Sequence, residues 1–308
     1  MLKYTIRRLL LIIPTLFFVL LITFTLAHAA PGGPWDADEN KNRAAVIIDN
    51  LNRKYGLDRP LHEQFATYLW NAIRGDLGVS FSYRDRQVTE IIAQFLPVSA
   101  QLGVQAILLA VAIAIPLGVI SALKQNTAVD YGALFLATIG VSIPSFVIAI
   151  FLIYLFGVQW HLLPIIGWGK LQNMILPTAI LAIGGSAVLT RITRASMLEA
   201  IRQDYVRTAR AKGLSEQVVI VGHVLKNALI PVATILGPAT AGVITGTFFI
   251  EYMFSIPGLG REFIRSINAR DYPMIMAVFL LYAFVISLAN LTVDLVYGVL
   301  DPRVKVGK

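Results

Sequence analysis

Val98-Ser-Ala-Gln-Leu-Gly-Val-Gln-Ala-Ile-Leu-Leu-Ala-Val-Ala-Ile-Ala-Ile-Pro-Leu-Gly-Val-Ile-Ser-Ala-Leu123 runs for 26 residues without an Asp, Glu, Lys or Arg. A bilayer core is crossed by about 20 apolar residues in helical form, because a helix satisfies its own backbone there. Working outward, five more stretches qualify or come close: Leu9–Ala30, Tyr131–Gly157, Met174–Thr190, Ala228–Ile250 and Met274–Val293. The fourth of the six spans is the shortest, with Leu171 as its earliest start. No Asp, Glu, Lys or Arg occurs from Tyr131 to Gly169, so the third span is ended near Gly157 and His161–Gly167 is read as an interfacial loop. Pro14, Pro116, Pro144, Pro177 and Pro231 lie in or at spans, where proline bends a helix without ending it. The expected fold class is an all-α integral membrane protein with six transmembrane helices.

Composition agrees. The chain has 308 residues, 56% hydrophobic and 14% charged, against about 25% charged in a soluble domain. It has no cysteine, which excludes disulfides and thiolate metal sites. His28, His62, His161 and His223 show no ligand spacing, so no metal site is expected. Lys3, Arg7 and Arg8 before the first span, with Ala27-His-Ala29 after it, resemble a secretory signal. The apolar run is longer than the usual signal core of about 7–15 residues, and an uncleaved first helix is expected.

With the N-terminus inside, alternation through six spans sorts the charge. The cytoplasmic parts hold 14 Lys and Arg against 6 acids, and the external parts 12 against 12. The whole net charge of +8 then lies on the cytoplasmic side, as positive-inside topology requires, with both termini cytoplasmic. No basic patch interleaved with aromatics appears on a soluble face, so no nucleic-acid partner is expected.

Outside, residues 31–97 contain one amphipathic segment, Leu61–Ile73, with Pro60 at its first turn and Gly75-Asp-Leu-Gly78 to break it. It reads both as a helix on the membrane interface, anchored by Tyr68 and Trp70, and as a lip that receives cargo. Inside, the longest gap (191–227) carries Tyr205, Val206, Arg207, Thr208, Ala209, Arg210, Ala211, Lys212 and Gly213. Asp204 is the expected N-cap and Gly213 the C′ stop of a two-turn helix. Tyr205, Val206 and Ala209 share one side of it, and Arg207, Arg210 and Ala211 the other. So short a helix is marginal alone and must be held by packing. Ser215 is expected to cap a second helix running through His223, Lys226 and Asn227 towards Pro231. Gly242 and Gly246 are expected to form a small-x-x-x-small face on the fifth span.

Tyr205–Gly213 followed by His223-Val-Leu-Lys-Asn-Ala-Leu-Ile-Pro231 resembles the EAA loop of binding-protein-dependent ABC importer permeases. The dipeptide, oligopeptide and nickel branch is the nearest in pattern, above all its oligopeptide B-type subunits. Pro31-Gly-Gly-Pro34, Gly75-Asp-Leu-Gly-Val-Ser-Phe81, Arg191-Ile-Thr-Arg-Ala-Ser196, Glu251-Tyr-Met-Phe-Ser-Ile-Pro-Gly-Leu-Gly260 and Asp301-Pro-Arg303 extend the likeness over the whole chain. The glutamate that names the motif is absent: Arg207-Thr-Ala209 stands where Glu-Ala-Ala would, with Gly213 at the expected spacing. Gly33 stands where many branch members carry aspartate.

The resemblance implies a type I ABC importer permease fold. It divides the chain into a first membrane helix (1–30), an external segment (31–97), a permease core (98–299) with its coupling loop at 191–230, and a cytoplasmic tail (300–308). It implies a non-enzymatic subunit of the bacterial inner membrane that passes peptides, oligopeptides first. Dipeptides, glutathione or a nickel chelate are the alternative cargoes. It also implies a second, homologous permease, two ABC ATPases that bind the ATP and Mg, an external substrate-binding protein and surrounding membrane lipid. No Gly-x-x-x-x-Gly-Lys-Ser/Thr loop occurs, so this chain is expected to bind no cofactor itself. Tyr205–Gly213 would be the coupling helix. Glu251, Phe254, Pro257, Gly258 and Gly260 would form an outer gate exposed to the binding protein, with the glycines making a sharp turn. Polar candidates for the pathway lining are Gln101, Gln105, Ser142, Ser145, Thr240 and Thr245, with helix-to-helix hydrogen bonding as the competing role. A solitary ion-coupled transporter is disfavoured, because the spans as drawn contain no Asp, Glu, Lys or Arg.

Overall fold

The computed structural model describes residues 2–35, 45–83 and 85–300. The expected tail therefore lies outside the described residues, apart from its first position. Among the described residues there is no strand, only one isolated antiparallel bridge between Val79 and Gln87. In chain order the helices are α1 (Leu2–Ala29), α2 (Ala45–Tyr55), α3 (Leu61–Ile73), α4 (Val88–Leu123), α5 (Ala128–Ser142) and α6 (Ser145–Leu152). A π-helical stretch, Ile153–Gln159, prolongs α6. Then come α7 (Leu171–Ile201), α8 (Asp204–Ala211) and α9 (Glu216–Val218), which winds through a π-helical stretch, Val219–Leu225, into α10 (Lys226–Ile244). The remaining three are α11 (Phe248–Met253), α12 (Leu259–Asn268) and α13 (Tyr272–Leu300).

Five helical runs are long and apolar enough to cross a membrane, or six when α5 and α6 count as one broken span. Several expected boundaries need correction. The second helix starts at Val88, ten residues before the expected Val98, because Val88, Ile91 and Ile92 repeat at helical spacing and all three are buried. The fourth runs on past Thr190 to Ile201 and so carries Arg191 and Arg194. The third does not merely bend at Pro144. It breaks there, with α5 and the run that follows it at 101°. The residue before a proline is pushed out of the helical region, and Ile143 sits at φ −93°, ψ 123°. Gly242 and Gly246 do not share a helical face, since α10 ends at Ile244 and Gly246 has φ +125°.

The chain forms two compact units, residues 1–99 with 257–308, and residues 100–256. In the first, α1 and α13 lie antiparallel. Arg8 pairs with Asp294 at 2.9 Å near one end, and Leu20 and Phe24 pack with Tyr272 and Met276 near the other, covered by Phe65, Tyr68 and Leu69 of α3. Asp271 fastens the loop before α4: its carboxylate accepts hydrogen bonds from the Ser80 hydroxyl and the Ser82 N–H.

In the second unit α4, α7 and α10 meet through Ala110, Ala114, Ala182, Leu189 and Val232. Small residues let membrane helices approach closely where lipid offers no hydrophobic drive. At Gly103 backbone meets backbone: an added Cβ would lie 2.9 Å from the main chain of Val243 and Ile244. Backbone cannot rotate away as a side chain can. Gly103→Ala is therefore expected to lower stability by about 1–3 kcal/mol, whereas Gly132→Ala, with open space around it, should be neutral or slightly stabilising. Thermal midpoints of the two variants in detergent check this, and equal midpoints would remove the close-approach argument.

Candidate functional site

Helix α8 is built as a two-faced element. Val206 and Ala209 are buried in a cluster with Ala122 of α4, Met197 and Ala200 of α7, and Val219, Ile220 and Val224 of the π-helical stretch. A π turn closes i→i+5 hydrogen bonds, and the five-residue step from Val219 to Val224 returns to the same face. Its C-terminus is a Schellman motif: the Gly213 N–H bonds the Arg210 carbonyl at 2.9 Å and the Leu214 N–H bonds Ala209 at 3.4 Å. Gly213 has φ +77°, as the expected stop requires.

The N-terminus differs from expectation. Gln203 holds the N-cap position and Asp204 is the first helical residue, its carboxylate 3.6 Å from Arg207 instead of on a backbone N–H. An acid in the first turn still complements the helix dipole. Tyr205 also departs from the expected face, being exposed while Val206 and Ala209 are buried. Ser215 does occupy the N-cap of α9, but its hydroxyl makes no capping bond.

The outward face thus comprises Tyr205, Arg207, Thr208, Arg210, Ala211 and Lys212, with Arg210 held to Glu216 at 2.6 Å. Exposed Leu214, Val218 and Val221 follow it in the chain, and sequence reasoning missed them. Their signal was an apolar residue recurring in a polar, basic loop.

Sequence reasoning also missed the strongest polar node of this unit. Asp130, fully buried at the start of α5, accepts from Ser121 Oγ at 2.5 Å and from the Asn126 N–H at 2.9 Å. It also accepts a bidentate pair from Arg194 Nε and Nη2 of α7, at 2.6 and 2.7 Å. Forked Arg–carboxylate pairs combine charge with fixed geometry. Removing one partner leaves a charge stripped of its bonds, the costly outcome for a buried pair.

Of the five expected gate residues only Pro257 is exposed; Glu251, Phe254, Gly258 and Gly260 are buried. Glu251 Oε1 accepts the Thr247 N–H at 2.8 Å, which fixes the start of α11. Nor do the glycines make the turn. Gly258 is extended at φ −111° and Gly260 is helical, while Ser255 carries the left-handed backbone at φ +51°. Among the pathway candidates, Thr245 is buried and bonds its own helix at Ala241 O, 2.9 Å away, so it lines nothing in this structure. Thr240 bonds Leu236 O at 2.6 Å. Gln101 and Gln105 both turn towards the Met174 sulfur, and Ser142 and Ser145 flank the α5–α6 break in exposed positions.

In the segment before α4, Tyr83 Oη donates to Glu262 Oε2 at 2.7 Å and accepts from Arg265 at 2.6 Å. Burial, then the Glu262 bond and charge, push the Tyr83 hydroxyl up to about 12.

The long apolar helices define a multi-pass membrane protein. Comparison identifies its family. Residues 114–306 match the binding-protein-dependent transport system inner membrane component, and residues 1–103 match the N-terminal part of such membrane components. The chain belongs to this family and is a multi-pass inner-membrane protein, a permease component and not an enzyme. It is 43% identical over 308 residues to a dipeptide transport system permease protein, DppB, of Bacillus subtilis, covering 100% of this chain and 99% of that one. It is 42% identical over 307 residues to the oligopeptide transport system permease protein OppB of Escherichia coli K12, covering 99% and 100%. Its fold is shared with an amino acid ABC transporter crystallised with histidines, at 17% identity and TM-score 0.53, over 70% of this chain and 95% of that one.

The Tyr83 network has a pH signature. The neutral phenol is favoured in the folded state, so its contribution is complete below the ordinary tyrosine pKa of about 10 and is lost as pH rises through about 12. The wild-type minus Tyr83→Phe ultraviolet difference titration should therefore show a phenol ionising near 12. An ionisation near 10 would dissolve the network.

Proposed function

We propose that this chain is one of two related permease subunits of an ATP-driven importer that carries peptides across the inner membrane. In this reading both termini and α8 face the cytoplasm, as the basic excess of the inner segments favours. Two ABC ATPases bind ATP and Mg, and an external binding protein delivers the cargo. The observation that carries the reading is α8 itself: an eight-residue helix whose apolar face is seated inside the chain and whose basic, small-residue face is left outward. An ATPase groove would receive that outward face, and the seat would pass its displacement into α4, α7 and α10.

Peptide cargo is supported by the full-length likeness to permeases named for dipeptides and oligopeptides. The two likenesses are nearly equal, so peptide length is assigned to the binding protein. Competition among peptides of two to six residues for uptake, in vesicles holding the complete system, measures it.

The decisive test targets the outward face. Ala209 belongs to the seat, so a bulky change there reports packing and not docking. Thr208 is exposed at mid-helix. Thr208→Trp is expected to leave insertion and thermal midpoint unchanged while weakening retention of the ATPase subunits by about thirtyfold, an interface loss of about 2 kcal/mol. Peptide uptake should fall with it. Normal ATPase retention together with normal uptake would overturn the reading.

A further inference from the structure

We infer that Asp130 and Arg194 are positioning residues for transport: they lock the start of the broken span to α7, so that displacement of α8 reaches the break at Pro144. The inference rests on the reading of α8 as the ATPase contact.

The geometry gives two routes out of α8. The apolar seat joins Val206 and Ala209 to Met197 and Ala200 at the end of α7 and to Ala122 at the end of α4. No residue of α5 belongs to that seat. Three residues before Met197, Arg194 leaves α7 and forks onto Asp130, which opens α5. The same carboxylate takes Ser121 Oγ from the last turns of α4 and the N–H of Asn126 from the turn between α4 and α5. Asn126 has φ +63°, a conformation its short side chain tolerates, which aims that N–H back at the acid. One buried carboxylate therefore ties α4, the turn, α5 and α7 at a single point, just above the seat.

The other end of α5 meets a joint. It stops at Ser142, and the chain resumes in α6 after Pro144 at a 101° bend. Hinges are element-terminal residues that absorb backbone change, and Ile143-Pro144 meets that description. A rod fixed at one end by four directional bonds and jointed at the other converts a shift of its fixed end into rotation about the joint. Apolar contacts between α5 and α7, as at Gly140 and Ala187, can slide. A bidentate pair cannot, because moving either plane breaks both bonds.

The test uses the complete transporter in vesicles with its binding protein, reading peptide taken up per ATP hydrolysed. That ratio does not depend on how much protein folds. Asp130→Asn is expected to lower it about tenfold, within the usual range of coupling energies, while ATP hydrolysis and ATPase retention persist. Arg194→Lys, which keeps charge but not the fork, and Ser121→Ala, which removes one donor, should give smaller losses. If Asp130→Asn fails to assemble, Ser121→Ala and the neutral pair Asp130→Asn/Arg194→Gln decide the matter. A wild-type ratio in any assembled Asp130 variant, or in Ser121→Ala if that alone assembles, overturns the inference. Failure of the underlying reading looks different: Thr208→Trp would then leave ATPase retention and uptake normal, whatever the Asp130 variants do.

Discussion

The burial of Val206 and Ala209 is the constraint on which the functional half of the structure depends. Eight residues do not hold a helix in water, because nucleation is costly and few bonds follow it. The seat stabilises α8 instead, and it fixes which residues look outward. The π-helical stretch is part of that seat. Its wider turn brings Val219, Ile220 and Val224 to one side beneath α8, where α-helical winding would keep Val224 with Ile220 but turn it away from Val219. Basic charge alone could have produced a solvated loop here. The apolar insertion and the Schellman end make a rigid, directed surface.

Charge inside the apolar part of the chain follows a different rule. Arg194 lies on a helix that begins in apolar sequence at Leu171, and an ionisable group at such a position is tolerated when it faces protein and finds a partner. Asp130 is that partner. Spans drawn to end at the first charge leave both residues out: Asp130 precedes Tyr131, and Arg191 closes the fourth run before Arg194. In the structure α5 opens at Ala128, ahead of Asp130, and α7 runs through Arg194 to Ile201.

Much of the fold was legible in the sequence, and the limits have physical causes. Long apolar runs exposed the spanning helices, and Leu61–Ile73 was found to the residue because its apolar period and flanking Pro60 and Gly75 agree. Gly213 was readable because a helix stop with positive φ has one preferred residue. Asp204 was not, since an acid serves equally at the cap or in the first turn and only backbone geometry separates the two. The turn after α11 misled for a related reason. Gly258 and Gly260 looked like the residues that need unusual angles, yet Ser255 adopts them, and the glycines are buried at the start of α12. Burial of Glu251 and Phe254 depends on tertiary contacts that no local pattern announces.

The broken span sets a condition on what surrounds this chain. At a helix end the last carbonyls lack α-helical partners, and α5 ends in mid-sequence with residues 141–147 all exposed, Ser142 and Ser145 among them. In hydrocarbon, irregular backbone is tolerated where it is buried in protein or lines a water-filled cavity, and not where it meets acyl chains. At such a break, protein or water satisfies the free carbonyls of a helix end better than acyl chains do. The same break at Ile143-Pro144 is the joint that the inferred transmission through α5 would use.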